Sequence, residues 1–556
     1  MDSFKSSIME FLKKEANMES AELEVPPNPE MGDYAFPCFI LSKEWKKSPN
    51  EIANELSKRF RANDLIDEAK AIGPYLNFFV NRGKLAETAI KEAIKQKDKY
   101  GSFGIGKGKK ALVEHTSINP NTSPHMGRAR NAFIGDSIVR LLKFQGYKVE
   151  THYWVNDIGK QIAMLVLGAE GKKSIIFNDL LGIYIEINKK AEHDPELDKK
   201  ALELLGRLEK GDKKIKSRFR KIVDICVKGQ VKILSELGIK YDFFDYESSY
   251  LWSGKTDETL KRLEKTGKLF VDGFNRWVLD QKGYGLGMQV PVLVLTRADG
   301  TSLYPLRDIT YAIECAGKGS CIVVLGEDQK LYNEQINAAL RELEIFQRRA
   351  VHYSFVLLSE GKMSTRKGNV VLLEDFMVEI VGKAKQELAK RYGKADETSA
   401  KIIAYGAVKY GILKVSPEKN VLFDPEQSLS FEGETSPYIQ YAYARISSIL
   451  KKHEKNLKNF FRADVKLLKE KEEAELIRLV YDFPEAVSKA SADLKPHLVA
   501  SHLYSTAQKF NEYYHMHQIL KADEKTRDAR LLLISAVSLV IKNGLNLLGI
   551  GVLERM

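Results

Sequence analysis

Ala111-Leu-Val-Glu114-His-Thr-Ser117-Ile-Asn119-Pro-Asn-Thr-Ser-Pro-His125-Met-Gly127-Arg128 is the stretch from which the fold is read. Ala111 to His115 is mostly apolar and predicts a buried strand. From Gly127 to Phe144 the apolar residues Ala129, Phe133, Ile134, Ile138, Leu141 and Leu142 recur at helical spacing. Gly146 ends that helix, and Lys148 to Val155 again predicts a strand. Strand, helix and strand at this spacing make a βαβ unit, and so a parallel sheet. Ligands of such sheets bind beyond the carboxyl ends of the strands. The polar turn before Gly127 lies there, ahead of a helix N-terminus whose free N–H groups attract anions. Gly127 lets a nucleotide approach the backbone closely. His125, Arg128 and Arg130 bring donors or charge toward phosphates. The alternative for the same residues is a loop whose histidine caps the helix.

Upstream, Val25 to Asp33 is rich in Pro and Gly and predicts a loop. Gly73-Pro-Tyr-Leu-Asn-Phe-Phe-Val80 predicts a turn running into a strand. Together they predict a small α+β domain over residues 1–100. Gly101-Ser-Phe-Gly-Ile-Gly-Lys-Gly108 is a near miss to a phosphate-binding P-loop, but Gly108 stands where Ser or Thr would hold Mg²⁺, and the loop precedes its strand. It is read as a linker. Downstream, residues of about 160–290 are rich in Lys and Glu at helical spacing and are read as an insertion into the sheet domain. Pro291 to Thr296 and Ser320 to Leu325 return to buried strands. From Thr435 onward the pattern is that of a helical bundle.

A chain of 556 residues predicts two to four domains. The formal net charge of +12 fits either plain solubility or a polyanionic partner. The four cysteines form no C-x₂-C pair and the ten histidines no metal-binding spacing, so no metal site is expected. So few cysteines suggest a reducing compartment. No signal peptide is read at the N-terminus, and the apolar run Leu531–Ile541 is too short to span a bilayer. A cytoplasmic protein with no membrane partner is expected.

A second segment narrows the chemistry: Glu360-Gly-Lys362-Met363-Ser364-Thr-Arg366-Lys367-Gly-Asn369. A Gly-flanked cationic loop suits a pyrophosphate leaving group, whose charge grows in the transition state. His125-Met-Gly-Arg128 resembles the His-x-Gly-His signature of class I aminoacyl-tRNA synthetases, and Lys362-Met-Ser-Thr-Arg366 resembles their Lys-Met-Ser-Lys-Ser loop. The form Met-Ser-Thr-Arg-Lys-Gly-Asn is similar to arginyl-tRNA synthetases in particular. Gly32-Asp-Tyr-Ala35 and Gly73 to Phe78 resemble that family's N-terminal, tRNA-elbow domain. Ser436 to Arg445 and Leu548 to Met556 resemble its anticodon-binding helices. The resemblance covers nearly the whole chain.

It implies a multidomain α/β plus α fold: an N-terminal α+β tRNA-contacting domain (1–100), a Rossmann-like catalytic domain (111–415), and a helical anticodon-binding bundle (430–556). It implies ATP, accompanied by Mg²⁺, bound by His125, Gly127, Arg128, Lys362, Met363, Ser364 and Arg366, with Lys367 also catalytic. It implies that Glu114, Ser117, Asn119, Tyr304, Asp308 and Gln335 hold L-arginine. Tyr304 and Asp308 lie four apart, so one helix face or tight turn presents both. A carboxylate accepts two parallel bonds from a guanidinium, which also stacks on an aromatic ring. The alternative is that Asp308 pairs with Arg307 or caps a helix. Asn77, Phe78, Tyr438 and Tyr441 are the implied tRNA contacts, Tyr443 joining the stacking candidates, with helix packing as the alternative. The partner is tRNA(Arg), and a monomer is expected. Two departures stand out. Arg128 replaces the family's second histidine and cannot titrate near neutrality. Thr365 replaces the second lysine of the class loop, a charge Arg366 or Lys367 can supply. The rival readings are a class I synthetase for another amino acid and a non-catalytic tRNA-binding derivative.

Overall fold

The computed structural model describes residues 3–26, 28–358, 372–393, 395–453 and 463–556. The chain divides into two compact units: residues 1–100 with 446–483 and 505–540, and residues 101–445 with 484–504 and 541–556.

In the first unit, strands β1 (Tyr34–Pro37), β2 (Ile66–Ile72) and β3 (Tyr75–Val80) form an antiparallel sheet in the order β1-β3-β2. Gly73, at φ +57°, turns β2 into β3, so Ile72 pairs with Tyr75. Helix Ser3–Ala16 buries Phe4, Ile8 and Leu12, spaced four apart on one face. Helix Pro49–Arg59 starts from a capping box of Ser48 and Glu51, with proline in its first turn. Asp33, in the loop read from the sequence, accepts the Val80 N–H at 3.0 Å. It also faces Arg82 and Arg478 at 3.3 and 3.5 Å. The sheet corrects one expectation. Asn77 and Phe78 are interior, 1% and 0% exposed, and the Phe78 ring packs edge-on against Phe11 and Phe60. Consecutive strand residues point to opposite faces, so β3 is covered on both sides at Asn77 and Phe78, which takes both residues away from any surface ligand.

The second unit is built on a parallel sheet of five strands, in the order β11-β10-β4-β5-β6. β4 (Lys110–Glu114) lies at its centre, joined to β5 (Lys148–Val155) through helix Met126–Phe144. On the other side of β4 run β10 (Ser320–Gly326) and β11 (Arg349–Tyr353). The predicted βαβ unit is therefore present, with its strand limits nearly as read. Two expectations over 160–296 are corrected. Helices Lys160–Gly168, Asp179–Ala191, Pro195–Glu209 and Lys213–Glu236 form the expected helical stretch, around a core they share with Ile118 and with Tyr153 and Val155 of β5. However, β6 (Phe243–Tyr246), inside the supposed insertion, is the edge strand of the main sheet, paired with β5. It is short and largely exposed, so it lacks the apolar run that marks a central strand. Conversely, β9 (Val292–Val294) leaves the main sheet and pairs antiparallel with β8 (Trp277–Asp280), which pairs with β7 (Leu269–Val271).

Helices Ser436–Lys452, Lys471–Asp493, His497–Met516 and Glu524–Leu547 make the C-terminal part helical, as read, and each has residues in both units. The last is long and apolar enough to cross a membrane, but 72% of its most apolar window is buried in the protein, as in a core helix. The end of this helix and the residues after it belong to the second unit and are bound within it. Ser137 donates to the Leu547 carbonyl at 2.9 Å, Lys409 to that of Gly549 at 2.6 Å, and Gln440 to that of Gly551 at 2.7 Å. All four cysteines are buried free thiols.

Candidate active site

β4 ends at Glu114 and its neighbour β10 at Gly326, on either side of the point where strand order reverses. Directly beyond β4, Thr116 and Ser117 hold φ of +76° and +41°. These left-handed values cost non-glycine residues energy and gather at functional sites. Asn131, on helix Met126–Phe144, holds the turn. Its Oδ1 accepts the Thr116 N–H at 2.5 Å, and its Nδ2 donates to the Val324 carbonyl at 2.7 Å. One side chain thus ties together the exits of both strands.

His125 occupies the N-cap position with extended backbone, and its side chain makes no capping bond, so the capping alternative is not realised. A Cβ at Gly127 would stand 3.1 Å from His125 Cε1. Glycine therefore leaves the imidazole room against the first helical turn. His125 Nδ1 is buried with no partner among the described residues. Burial first, and Arg128 second, press the ring's pKa down to about 4, so it is neutral at pH 7 and keeps one N–H to donate. Arg128 is exposed on the same turn. Arg130 departs from its reading. It is fully buried and donates to the carbonyls of Ser354, Phe355, Ser416, Pro417 and Lys419. It ties the helix to the entry of β12 (Val356–Leu358) instead of meeting a phosphate.

Lys362, Met363, Ser364, Arg366 and Lys367 lie outside the described residues. The chain on either side of them is anchored at the same helix. Arg130 holds Ser354 and Phe355 upstream, and downstream Leu372 bridges to His125 while Leu373 N–H donates to the Pro124 carbonyl at 2.8 Å.

A second cleft, next to β4, is lined by Glu114, Tyr304, Asp308, Gln329, Tyr332 and Arg348. Tyr304 and Asp308 come together because helix Tyr304–Lys318 begins at Tyr304, with proline next. The Tyr304 ring stacks on Tyr332, centroids 5.3 Å apart. Asp308 neither caps the helix nor pairs with Arg307. Arg348 grips it with two parallel bonds, Nη1 to Oδ1 at 2.8 Å and Nη2 to Oδ2 at 3.0 Å. Arg307 pairs instead with Glu247 at 2.7 Å. Burial pushes the Glu114 carboxyl up to about 7, despite the pull of Arg348. Glu247 is raised to about 7 for the same reason, against Arg307. Ser117 donates to Glu114 at 3.0 Å, while Asn119 reaches Gln161 at 3.5 Å. Gln335 is set apart from the cleft wall, its amide donating to the Val292 carbonyl at 3.3 Å, and Gln329 stands in the wall. Sequence reasoning missed Arg348, Glu247 and Tyr332. Arg348 sits in Gln347-Arg-Arg-Ala350, where nothing separates a buried arginine from its neighbour.

Tyr438 and Tyr441 are half-buried. Tyr438 lies against Tyr504, centroids 6.0 Å apart, and Tyr441 meets Phe431 edge-on at 6.2 Å and carries the Arg445 guanidinium over its face at 4.6 Å. Packing takes up part of both rings.

Three family models match the chain: an arginyl tRNA synthetase N-terminal domain over residues 2–80, a class I (R) tRNA synthetase catalytic domain over 89–424, and a DALR anticodon binding domain over 439–556. The chain is 37% identical to the arginine–tRNA ligase of Methanocaldococcus jannaschii, across 99% of the chain and 100% of that protein. It is 35% identical to that of Clostridium perfringens, covering 100% of both. The solved arginyl-tRNA synthetase of Thermus thermophilus superposes with a TM-score of 0.83 at 26% identity, covering 100% of the chain and 99% of its own.

Proposed function

The chain belongs to the arginyl-tRNA synthetase family, and from that premise we propose how its residues divide the work. The reaction is arginine–tRNA ligation. The arginine carboxylate attacks the α-phosphate of ATP, giving arginyl-adenylate and pyrophosphate, and a ribose hydroxyl at the tRNA 3′ end then takes the arginyl group. Such chemistry is mostly positioning and charge stabilisation. The phosphates fall to His125, Gly127 and Arg128, with Lys362, Met363, Ser364, Arg366 and Lys367 on the leaving group, and Mg²⁺ enters with ATP. Glu114, Tyr304 and Asp308 receive the guanidinium, while Ser117 and Asn119 are assigned to the α-amino and carboxylate end. Tyr438 and Tyr441 stack on anticodon bases. Residues 1–100, 111–415 and 430–556 serve as elbow-binding, catalytic and anticodon-binding domains, in a cytoplasmic monomer.

One observation carries this reading. A neutral His125 at a helix N-terminus and a carboxylate-and-tyrosine cleft beside Glu114 lie at the carboxyl ends of neighbouring strands of one sheet. Phosphate and cation sites side by side are what an aminoacyl-adenylate requires. Nothing in the comparisons favours a chain without catalysis. The test is ATP–pyrophosphate exchange with arginine, with and without total tRNA, and lysine as control. Exchange with arginine alone among the two is expected. Absence of exchange despite tight tRNA binding would show that Arg128 has broken the signature.

A further inference from the structure

The cleft beside Glu114 contains one of the chain's own guanidiniums, that of Arg348, and its pairing sets the charge of the cleft wall. Arg348 has all three edges engaged. Two donors meet Asp308 at 2.8 and 3.0 Å, and Nε donates to Asn333 Oδ1 at 2.8 Å. Arg348, Asp308 and Asn333 are each at most 5% exposed. A forked guanidinium held on three sides is fixed in rotation as well as position, and so is the carboxylate it holds. Outside the cleft wall Glu247, 1% exposed, accepts a single bond from Arg307 Nε at 2.7 Å. Glu114 has no ion pair within 4 Å among the described residues, and accepts a hydrogen bond from the Ser117 hydroxyl at 3.0 Å. In the cleft wall Asp308 and Arg348 cancel, and Glu114 remains.

We propose that Arg348 is a positioning residue of the arginine pocket. It fixes the Asp308 carboxylate, cancels its charge, and leaves Glu114 to carry the single net negative charge that a singly charged guanidinium side chain requires. The inference rests on reading this cleft as the arginine pocket. Without Arg348 two uncompensated carboxylates would share one buried cleft, and like charges so placed retain a proton between them. The pocket would then lose both the fixed Asp308 fork and its match to one positive charge.

The test is ATP–pyrophosphate exchange by the full-length chain with tRNA present, arginine and ATP varied separately. Arg348→Met is expected to raise the KM for arginine by on the order of tenfold, leave the KM for ATP in place, and lower kcat far less than it raises the arginine KM. Arg348→Lys keeps the charge without the fork and should recover part of the loss. Because Arg348→Met strands Asp308 in the interior, Asn333→Leu is run beside it. This change loosens Arg348 Nε without exposing a charge and should raise the arginine KM several-fold. An unchanged or lowered arginine KM in the variants that fold overturns the proposal, and a lowered one means that Arg348 stands in the substrate's own place. Glu114→Gln separates the two readings. If it raises the arginine KM while the Arg348 and Asn333 variants do not, only the role of Arg348 fails. If it too leaves the arginine KM unchanged, the pocket reading itself fails.

Discussion

Burial lifts the Glu114 carboxyl to about 7, yet it must be ionised to attract a guanidinium. As pH falls through 7 the group takes up a proton and the pocket loses its net charge. The KM for arginine should therefore rise from pH 8 to pH 6, by at most roughly tenfold per unit below the pKa. Glu114→Gln should have a high KM that no longer changes over that range. A wild-type KM flat from pH 6 to 8 would remove Glu114 from the pocket. Asp308 poses a different question, because its partner belongs to the chain. Asp308→Asn leaves Arg348 buried without its counter-charge, and should cost about 3–5 kcal/mol of folding stability as well as arginine affinity. Urea denaturation checks this, and an unaltered midpoint would mean that Arg348 finds another partner. The pairing of Tyr304 with Asp308 was legible, since a four-residue spacing on a helix has only one geometric outcome. Arg348 was not, since it is 40 residues from Asp308 in the chain and no local pattern marks the contact.

At the scale of elements, helix Met126–Phe144 does two things that its sequence shows unequally. Its N-terminus and glycine could be read directly. Its use of Arg130 as a clamp on β12 could not, because Arg128 and Arg130 stand two residues apart in the same first turns and no local pattern says which of them is buried. Arg130→Met removes a charged donor from five carbonyls. The expected loss is at least about 1.5–3 kcal/mol, typical of hydrogen bonds to charged groups. It should be accompanied by faster amide hydrogen exchange in Val356–Leu358. Unchanged exchange there would show that β12 holds its place without the clamp. The strands divide in the same way. β4 and β10 are largely apolar runs buried on both faces, β5 follows its helix at βαβ spacing, and all three were found. β6 and β9 are short and partly exposed, and only their hydrogen-bonded partners assign them to a sheet.

For the whole molecule, a formal charge of +12 on a protein that handles tRNA implies phosphate contacts that release counterions. If about six phosphates are neutralised, tRNA affinity should fall by on the order of 10³-fold between 50 and 200 mM salt. A filter-binding titration with little salt dependence would leave the charge to solubility alone. The fold class, the helical C-terminal part, the place of the first signature segment at a helix N-terminus and the nearness of Tyr304 to Asp308 were legible in the sequence, because each rests on local periodicity, turn chemistry or a motif of a few residues. Tertiary structure decided which faces of those elements are available. It turned Asn77 and Phe78 into the core, took Arg130 out of the phosphate site, gave Asp308 an internal partner and left Glu114 without an ion pair among the described residues. The physical reason is that burial and charge pairing join residues far apart in the chain, and a local pattern carries no record of the neighbour it will meet.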